Sequence, residues 1–380
     1  MKTLQIGMGW FPEQSGGVTR YYYDCIRYLP DAGVDIQGLV TGSEQVATTT
    51  QQQIKAFAPT EASLLKRWRG IRQSVRQQLA TAEYDLVVAH FALYAFPILD
   101  LLRDLPLVIH FHGPWALESD AESQKALAVW FKKSLEQITY RRASSFIVLS
   151  QAFQDILHQE YGVPLKKIHI VPGGVDLKQF AVSIAPAEAR SKLGWEQERS
   201  ILFCVRRLAQ RMGLENLLSA IALVRTQYPD VLLYIAGKGA LAETLQTQIT
   251  ELNLTNHVRL LGYLPEEQLP IAYRAANFSI VPTVSFEGFG LIVIESLAAG
   301  TPILGTHVGG IPEILKPFCA DLLFEDTSVD KLAQGIVEAL SGKRQLPSSK
   351  ACQAYVRANY AWSAIAPQIK SVYLSSSTQS

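Results

Sequence analysis

The chain has 380 residues, 48% hydrophobic and 18% charged, with 35 basic against 34 acidic side chains and a net charge of +1. This composition excludes a disordered chain, and the balanced charge lacks the basic footprint of a nucleic-acid binder. Cys25, Cys204, Cys319 and Cys352 are scattered with no CxxC spacing, which argues against zinc or disulfide frameworks and fits a reducing cytoplasmic setting.

In chain order, "MKTLQIGMGW" holds an apolar run too short for a secretion signal and reads as a first buried strand. The loop after it, "PEQSGGVTRYYYD", carries Gly16 and Gly17 ahead of a helix starting near Val18. A helix start attracts phosphate through its unbonded amides, while a plain tight turn uses glycines equally well. The pattern is not G-x-G-x-x-G, so the dinucleotide fingerprint is absent. In "SLLKRWRGIRQSVRQQLA", Leu64, Trp68, Ile71, Val75 and Leu79 share one helical face, with Lys66, Arg67, Arg69, Arg72 and Arg76 around it. Such a basic amphipathic helix can lie on an anionic membrane, giving peripheral contact through residues 61–80 at the inner membrane face. A domain-covering helix with a charged outer face is the plainer reading. "LVVAHFALYAFPIL" contains His90 and Pro97 and, at 14 residues, is too short to span a bilayer.

"DLVVAHF", "LVIHFHG", "SFIVLS" and "IHIVPGG" read as further strands of the first half; "ILFCVRRL", "VLLYIAGKG", "VRLLGYL", "FSIVPT" and "PILGT" read as strands of the second. Continuous Val/Ile/Leu runs alternating with helices predict parallel sheets covered on both faces, and the order occurs twice. The boundary falls in the polar, alanine-rich stretch at about residues 176 to 200. Ligands of such sheets sit at the carboxyl ends of strands, and a cleft between two such domains is the expected site. His112 ends the strand "LVIHF" and reads as functional; His110, two residues back, reads as a hydrogen-bonded core residue. "CVRRLAQRMGLENLL" puts Arg206, Arg207 and Arg211 in one strand-to-helix turn with no acid before Glu215, an expected anion site. In "SFEGFGLIVIESLAAG", Gly288 and Gly290 permit close backbone approach, and a short apolar helix over about 291 to 299 should be buried. Glu295 lies beyond its first turn, so the helix dipole does not stabilise it and it needs a partner; Glu287 lies at the mouth of the same loop. Sugar hydroxyls would serve both acids, as would salt bridges to arginines. The chain closes on a polar tail, "SSSTQS".

"EGFGLIVIESLAAGTPILGTHVGGIPEIL" resembles the C-terminal signature of family 4 retaining glycosyltransferases, with Glu287 and Glu295 spaced as in that family's E-x7-E motif. The glycine loop, "HFHG", "VPGGVD", "RRLAQRMG", "IAGKGAL", "LLGYLPEEQL" and "HVGGIPE" follow the family in order, more weakly from about residue 40 to 105. The resemblance implies the α/β GT-B fold, two Rossmann-like, doubly wound parallel-sheet domains facing a cleft. It sets an acceptor-side domain at 1–180, a donor domain at 181–360, and at 361–380 a helix crossing back to the first domain, with the tail. It implies a UDP-, GDP- or ADP-sugar donor, a hydroxyl acceptor (glycan, lipid or small metabolite), and neither cofactor nor metal. Glu295 would bind ribose and Glu287 the donor sugar. Amides of Phe289, Gly290, Leu291 and Ile292 would face sugar and phosphate. Gly17 and Arg207 would meet the diphosphate, His112 the sugar, and Gly262, Tyr263 and Leu264 the base. The family usually has lysine where this chain has Met212. Arg211, its neighbour, is the expected substitute ahead of Arg206, because strand alternation turns Arg206 away from Arg207. Since Glu295 is assigned to ribose, the two-carboxylate route of retaining glycosidases does not apply, and a front-face reaction is implied. A non-catalytic nucleotide-sugar binding module and a sugar-nucleotide epimerase are the other readings.

Overall fold

The computed structural model describes residues 1–378 apart from 12, 103, 104, 123 and 124. It divides into two compact units, Met1–Gly174 with Trp362–Ser380, and Val175–Ala361. The first is built on β1 (Lys2–Ile6), β2 (Asp35–Thr41), β3 (Ile54–Ala58), β4 (Leu86–Ala89), β5 (Leu107–Phe111), β6 (Ser145–Val148) and β7 (Ile168–Ile170). All pairings are parallel, in the order β3-β2-β1-β4-β5-β6-β7. The order reverses between β1 and β4, which places a topological switch point at their carboxyl ends.

Successive residues of a strand face opposite sides. Val87, Ala89, Ile109 and Phe111 accordingly join one core layer with Ile71, Val75, Leu135 and Phe153 from helices. Positions 90 and 110 turn to the other layer, where the helices Gly17–Tyr28 and Trp362–Ser377 supply Tyr21 and Tyr373. β2 and β3 are missing from the sequence reading. Gln37, Gly38 and Lys55 interrupt their apolar character; yet Gly38 is a packing requirement, since a Cβ there would collide with Ile54 and the Tyr22 hydroxyl. The "SSSTQS" segment, expected to be a tail, is helical as far as Ser377. Ser376 is buried and donates to Ser145 Oγ at 2.8 Å; residues 379 and 380 lie outside the described ones. The chain leaves this unit at Gly174 and returns at Trp362. The two pack together closely enough that a Cβ on Gly174 would sit 2.6 Å from the indole.

The second unit holds β8 (Ser200–Val205), β9 (Val231–Ala236), β10 (Val258–Gly262), β11 (Phe278–Val281) and β12 (Ile303–Gly305), again all parallel, in the order β10-β9-β8-β11-β12. Its switch point lies between β8 and β11. Their pairing covers only Leu202 with Phe278 and Phe203 with Ser279, so the carboxyl ends of the two strands part. Among the described residues no helix is long and apolar enough to cross a membrane.

Candidate functional site

At the switch point of the second unit, Arg206 leaves the end of β8 and reaches across to the loop after β11. Its Nη2 donates to Thr283 Oγ1 at 2.6 Å and to Glu287 Oε2 at 2.5 Å. The pair is largely buried, at 8% and 13% side-chain exposure, so the two charges have surrendered most of their hydration and hold one another. The same Nη2 contacts Met212 Sδ. This corrects two expectations. The arginine turn does have an acid beside it, and Arg206, not Arg211, stands over Met212. Arg211 turns instead to the loop backbone, its Nη1 donating to Phe286 O at 2.8 Å while its own carbonyl accepts from Val284 N. The loop needs such support: Phe286 sits at φ 51 and Gly290 at φ 93, and a side-chain residue in the left-handed region is strained. A second loop braces it from β12, where Gly310 N donates to Glu287 O at 3.0 Å and Gly309 packs so closely on Glu287 that no Cβ would fit. Arg207 is exposed.

Gly290 caps the helix Leu291–Ala298, whose residues from Val293 onward are buried. Glu295 is 9% exposed and accepts from Tyr273 Oη at 3.1 Å, so the protein itself supplies a hydrogen-bond donor to this acid. Gly288, Leu291 and Ile292 are half-buried, whereas Phe289 is buried against the edge of Tyr360. Beside the neighbouring strands, Gly262 accepts from Gly237 N at 2.7 Å. Tyr263 is exposed with Lys238 Nζ 5.4 Å from its ring centre, and Leu264 is half-buried.

In the first unit the exposed Gly16 and Gly17 open the helix Gly17–Tyr28 after β1, and a Cβ on Gly17 would meet nothing within 4 Å. His112 follows β5, and His90, which the sequence reading passed over, follows β4. His90 Nδ1 lies 3.2 Å from His112 Nε2. His110 is core, as expected, with its Nε2 2.7 Å from Tyr373 Oη. The signal for His90 was in the sequence: two apolar runs, "VVAH" and "VIHFH", end in histidine, and the β4–β5 register sets position 90 level with His110, on the strand face that 112 continues. Burial pulls His112 down to about 3 and drives His90 and His110 well below the ordinary histidine range, with help from the neighbouring imidazoles. All three rings are neutral near pH 7. Each can offer one nitrogen within 4.8 Å of the others, the spacing of a metal set. The ring planes, however, lie 16–25° from parallel. In-plane lone pairs of stacked rings run side by side and do not converge on one ion, so the cluster as it stands is a neutral hydrogen-bonding group.

The helix Leu64–Thr81 spends its apolar face inside the unit. Ile71 and Val75 are fully buried, Leu64, Trp68 and Leu79 pack on the same core, and Trp68 Nε1 donates to Leu93 O. The apolar face of this helix is thus turned inward, and the side left exposed is the basic one, with Lys66, Arg69 and Arg76.

Comparison with known proteins follows the same division. Residues 187–360 match the family model described as "Glycosyl transferases group 1" and residues 15–179 the model "Glycosyltransferase Family 4". A GDP-mannose-dependent monoacylated alpha-(1-6)-phosphatidylinositol monomannoside mannosyltransferase of Corynebacterium glutamicum is 29% identical over 211 residues, 53% of this chain and 55% of that protein. The chain spans little more than half the length of the curated relatives it matches first. Among solved structures, a sucrose-phosphate synthase from Thermosynechococcus elongatus superposes with a TM-score of 0.84 at 22% identity, covering 100% of both chains. The Anabaena protein HepE, in complex with UDP and glucose, superposes with a TM-score of 0.79 at 20% identity, covering 99% of this chain and 100% of that one. Both share the GT-B fold with this protein.

Proposed function

Because the chain belongs to glycosyltransferase family 4, we propose that it moves a hexose from a UDP-, GDP- or ADP-sugar to a hydroxyl acceptor (a glycan, a lipid or a small metabolite), with retention and without a metal. The observation that carries this reading is the cluster at the β8–β11 switch point, where the largely buried Arg206–Glu287 pair, its loop braced by Arg211, meets a helix start with Glu295 behind it. A nucleoside diphosphate is the leaving group of such a reaction. Fixed cations and amides aimed at its phosphates lower the barrier by stabilising charge as it develops. Arg206 and Arg207 are the cations proposed here, with amides of Phe289, Gly290, Leu291 and Ile292 beside them. Arg211 acts through the loop it holds. Glu287 keeps Oε2 on Arg206, which leaves Oε1 to accept from a sugar hydroxyl. Glu295 would hold the ribose, the exposed Tyr263 with Gly262 and Leu264 the base, and Gly17 the diphosphate. His112, neutral through burial, would serve the sugar as a hydrogen-bonding group. The leaving phosphate would take the acceptor's proton on the front face. Two of the named proteins, one GDP-mannose-dependent and one bound to UDP, support a nucleotide-sugar donor without naming it.

The test is a thermal-shift screen of UDP-, GDP- and ADP-sugars, followed by an assay of diphosphate release and of product anomer by NMR. One donor class should stabilise the protein, release should proceed equally with and without EDTA, and the product should keep the donor's configuration. Strict dependence on added magnesium or manganese would remove the metal-free mechanism. Binding without transfer or donor hydrolysis would make the protein a binding module.

A further inference from the structure

Four large apolar side chains stand exposed on one helix of the first unit, Ala126–Arg142. Leu127 is 78% exposed, Trp130 66%, Phe131 45% and Ile138 47%. At 3.6 residues per turn these four fall within an arc of about 100°, whereas Leu135, Glu136, Thr139 and Tyr140 on the other side are buried. An outward stripe of Leu, Trp, Phe and Ile on a surface helix is costly in water and is rare without a partner to cover it.

Charge identifies the partner. The helices Ala126–Arg142 and Leu64–Thr81 both pack against residues 96–101, and Leu65 is 65% exposed on the latter. The two helices carry nine of the 35 basic residues and one of the 34 acidic, Glu136, which is buried. They hold a net +8 in a chain of net +1, so the rest of the chain carries −7. From outside the helices Asp100 meets Arg72, Glu160 meets Lys133 and Glu122 acts on Lys132; Lys66, Arg69, Arg76 and Arg141 are exposed. Apolar anchors flanked by cations are what an anionic bilayer surface binds, the rings and Leu entering at headgroup depth and the cations meeting lipid charge.

We propose that the outward face of Ala126–Arg142, together with the basic face of Leu64–Thr81, docks the protein on an anionic lipid surface. The docking helix is tied to the site. Glu136 on its inner face accepts from Trp115 N at 3.0 Å and Ala116 N at 3.2 Å, the amides that begin the segment just after His112. The proposal is independent of the donor reaction, because vesicle binding is read without turnover.

The experiment is co-sedimentation of the full chain with vesicles of phosphatidylcholine, alone or mixed with phosphatidylglycerol. Binding should be confined to the mixed vesicles and should weaken as salt screens the charge. Leu127→Ser with Trp130→Ser should lower partitioning at least ~tenfold, the scale of losing two interfacial anchors, with the melting temperature unchanged. Trp130→Phe should retain binding but lose part of the blue shift in tryptophan emission. Absence of binding to mixed vesicles, equal binding to phosphatidylcholine alone, or an unaffected double variant would overturn the proposal. So would a dimer by light scattering that the double variant converts to monomer without any vesicle binding, since the face would then join two copies of the chain.

Discussion

Arg206 bears the sharpest prediction at the scale of single residues. Its guanidinium lies over Met212 Sδ, the residue that stands where the family usually has lysine, so the cation is present but enters from β8. Removing one member of a desolvated charge pair typically costs ~2–5 kcal/mol. Arg206→Ala should therefore lower kcat/KM at least ~30-fold. Adding Met212→Lys to that variant should recover most of the loss, because the charge returns to the same place from the other side of the turn. Arg211→Ala removes a charged donor from Phe286 O and should cost about 1.5–3 kcal/mol, felt more in KM than in kcat. The check is steady-state kinetics of the three variants with the identified donor. If Arg211→Ala proves the more damaging and Met212→Lys rescues nothing, the assignment to Arg206 fails. The departure at Met212 was legible in the sequence; its remedy was not. Alternation along β8 alone turns Arg206 away from Arg207. Where the arginine ends up depends on β8 and β11 parting after Phe203, a property of the pair that neither strand's residues spell out.

Elements around His112 set a pH dependence. His90, His110 and His112 are held neutral in the fold, whereas unfolded histidine titrates near 6.5. Their contribution to stability is complete above that value and is lost as pH falls below it. Glu136 has the opposite sign. Burial raises it to about 7 against the hydrogen bonds from Tyr161, Ala116, Trp115 and Tyr140, so its share declines as pH rises from about 4.5 through 7. Between pH 6 and 5 three imidazoles outweigh one carboxyl. Unfolding then takes up a net of about two protons, an upper bound of ~3 kcal/mol per pH unit. The melting temperature should fall from pH 7 to 5, and fall less steeply in His110→Phe. A melting temperature that holds or rises over that interval would contradict the balance. The elements themselves were mostly readable: ten strands appear as Val/Ile/Leu runs because a parallel strand covered on both faces is apolar throughout. β2 and β3 escaped that rule. Gly38 resembles a breaker until Ile54 and Tyr22 are known to press on it, and Lys55 breaks the short run of β3. His90 was lost for a related reason, since only the pairing of β4 with β5 sets it beside His112.

At the scale of the whole molecule, the first unit draws its last helix from beyond the second. Trp362 stacks on Tyr28 with the rings 5° from parallel, and Trp362 and Tyr373 are 2% and 0% exposed. Truncating a buried aromatic to Ala costs about 3–5 kcal/mol. Trp362→Ala should therefore lower the melting of the first unit while leaving hydrogen exchange in Val175–Ala361 at its wild-type rates. Equal loss of protection in both units would mean that they unfold as one.

That loan has a consequence for the order of manufacture. A ribosome delivers β1 to β7 first, with the layer that Trp362–Ser377 will cover still bare. His110 waits without Tyr373, and Ser145 without Ser376. The second unit is one unbroken stretch and can close as it emerges. The part made first is thus the part finished last, and during that interval the nascent chain offers chaperones an unroofed parallel sheet.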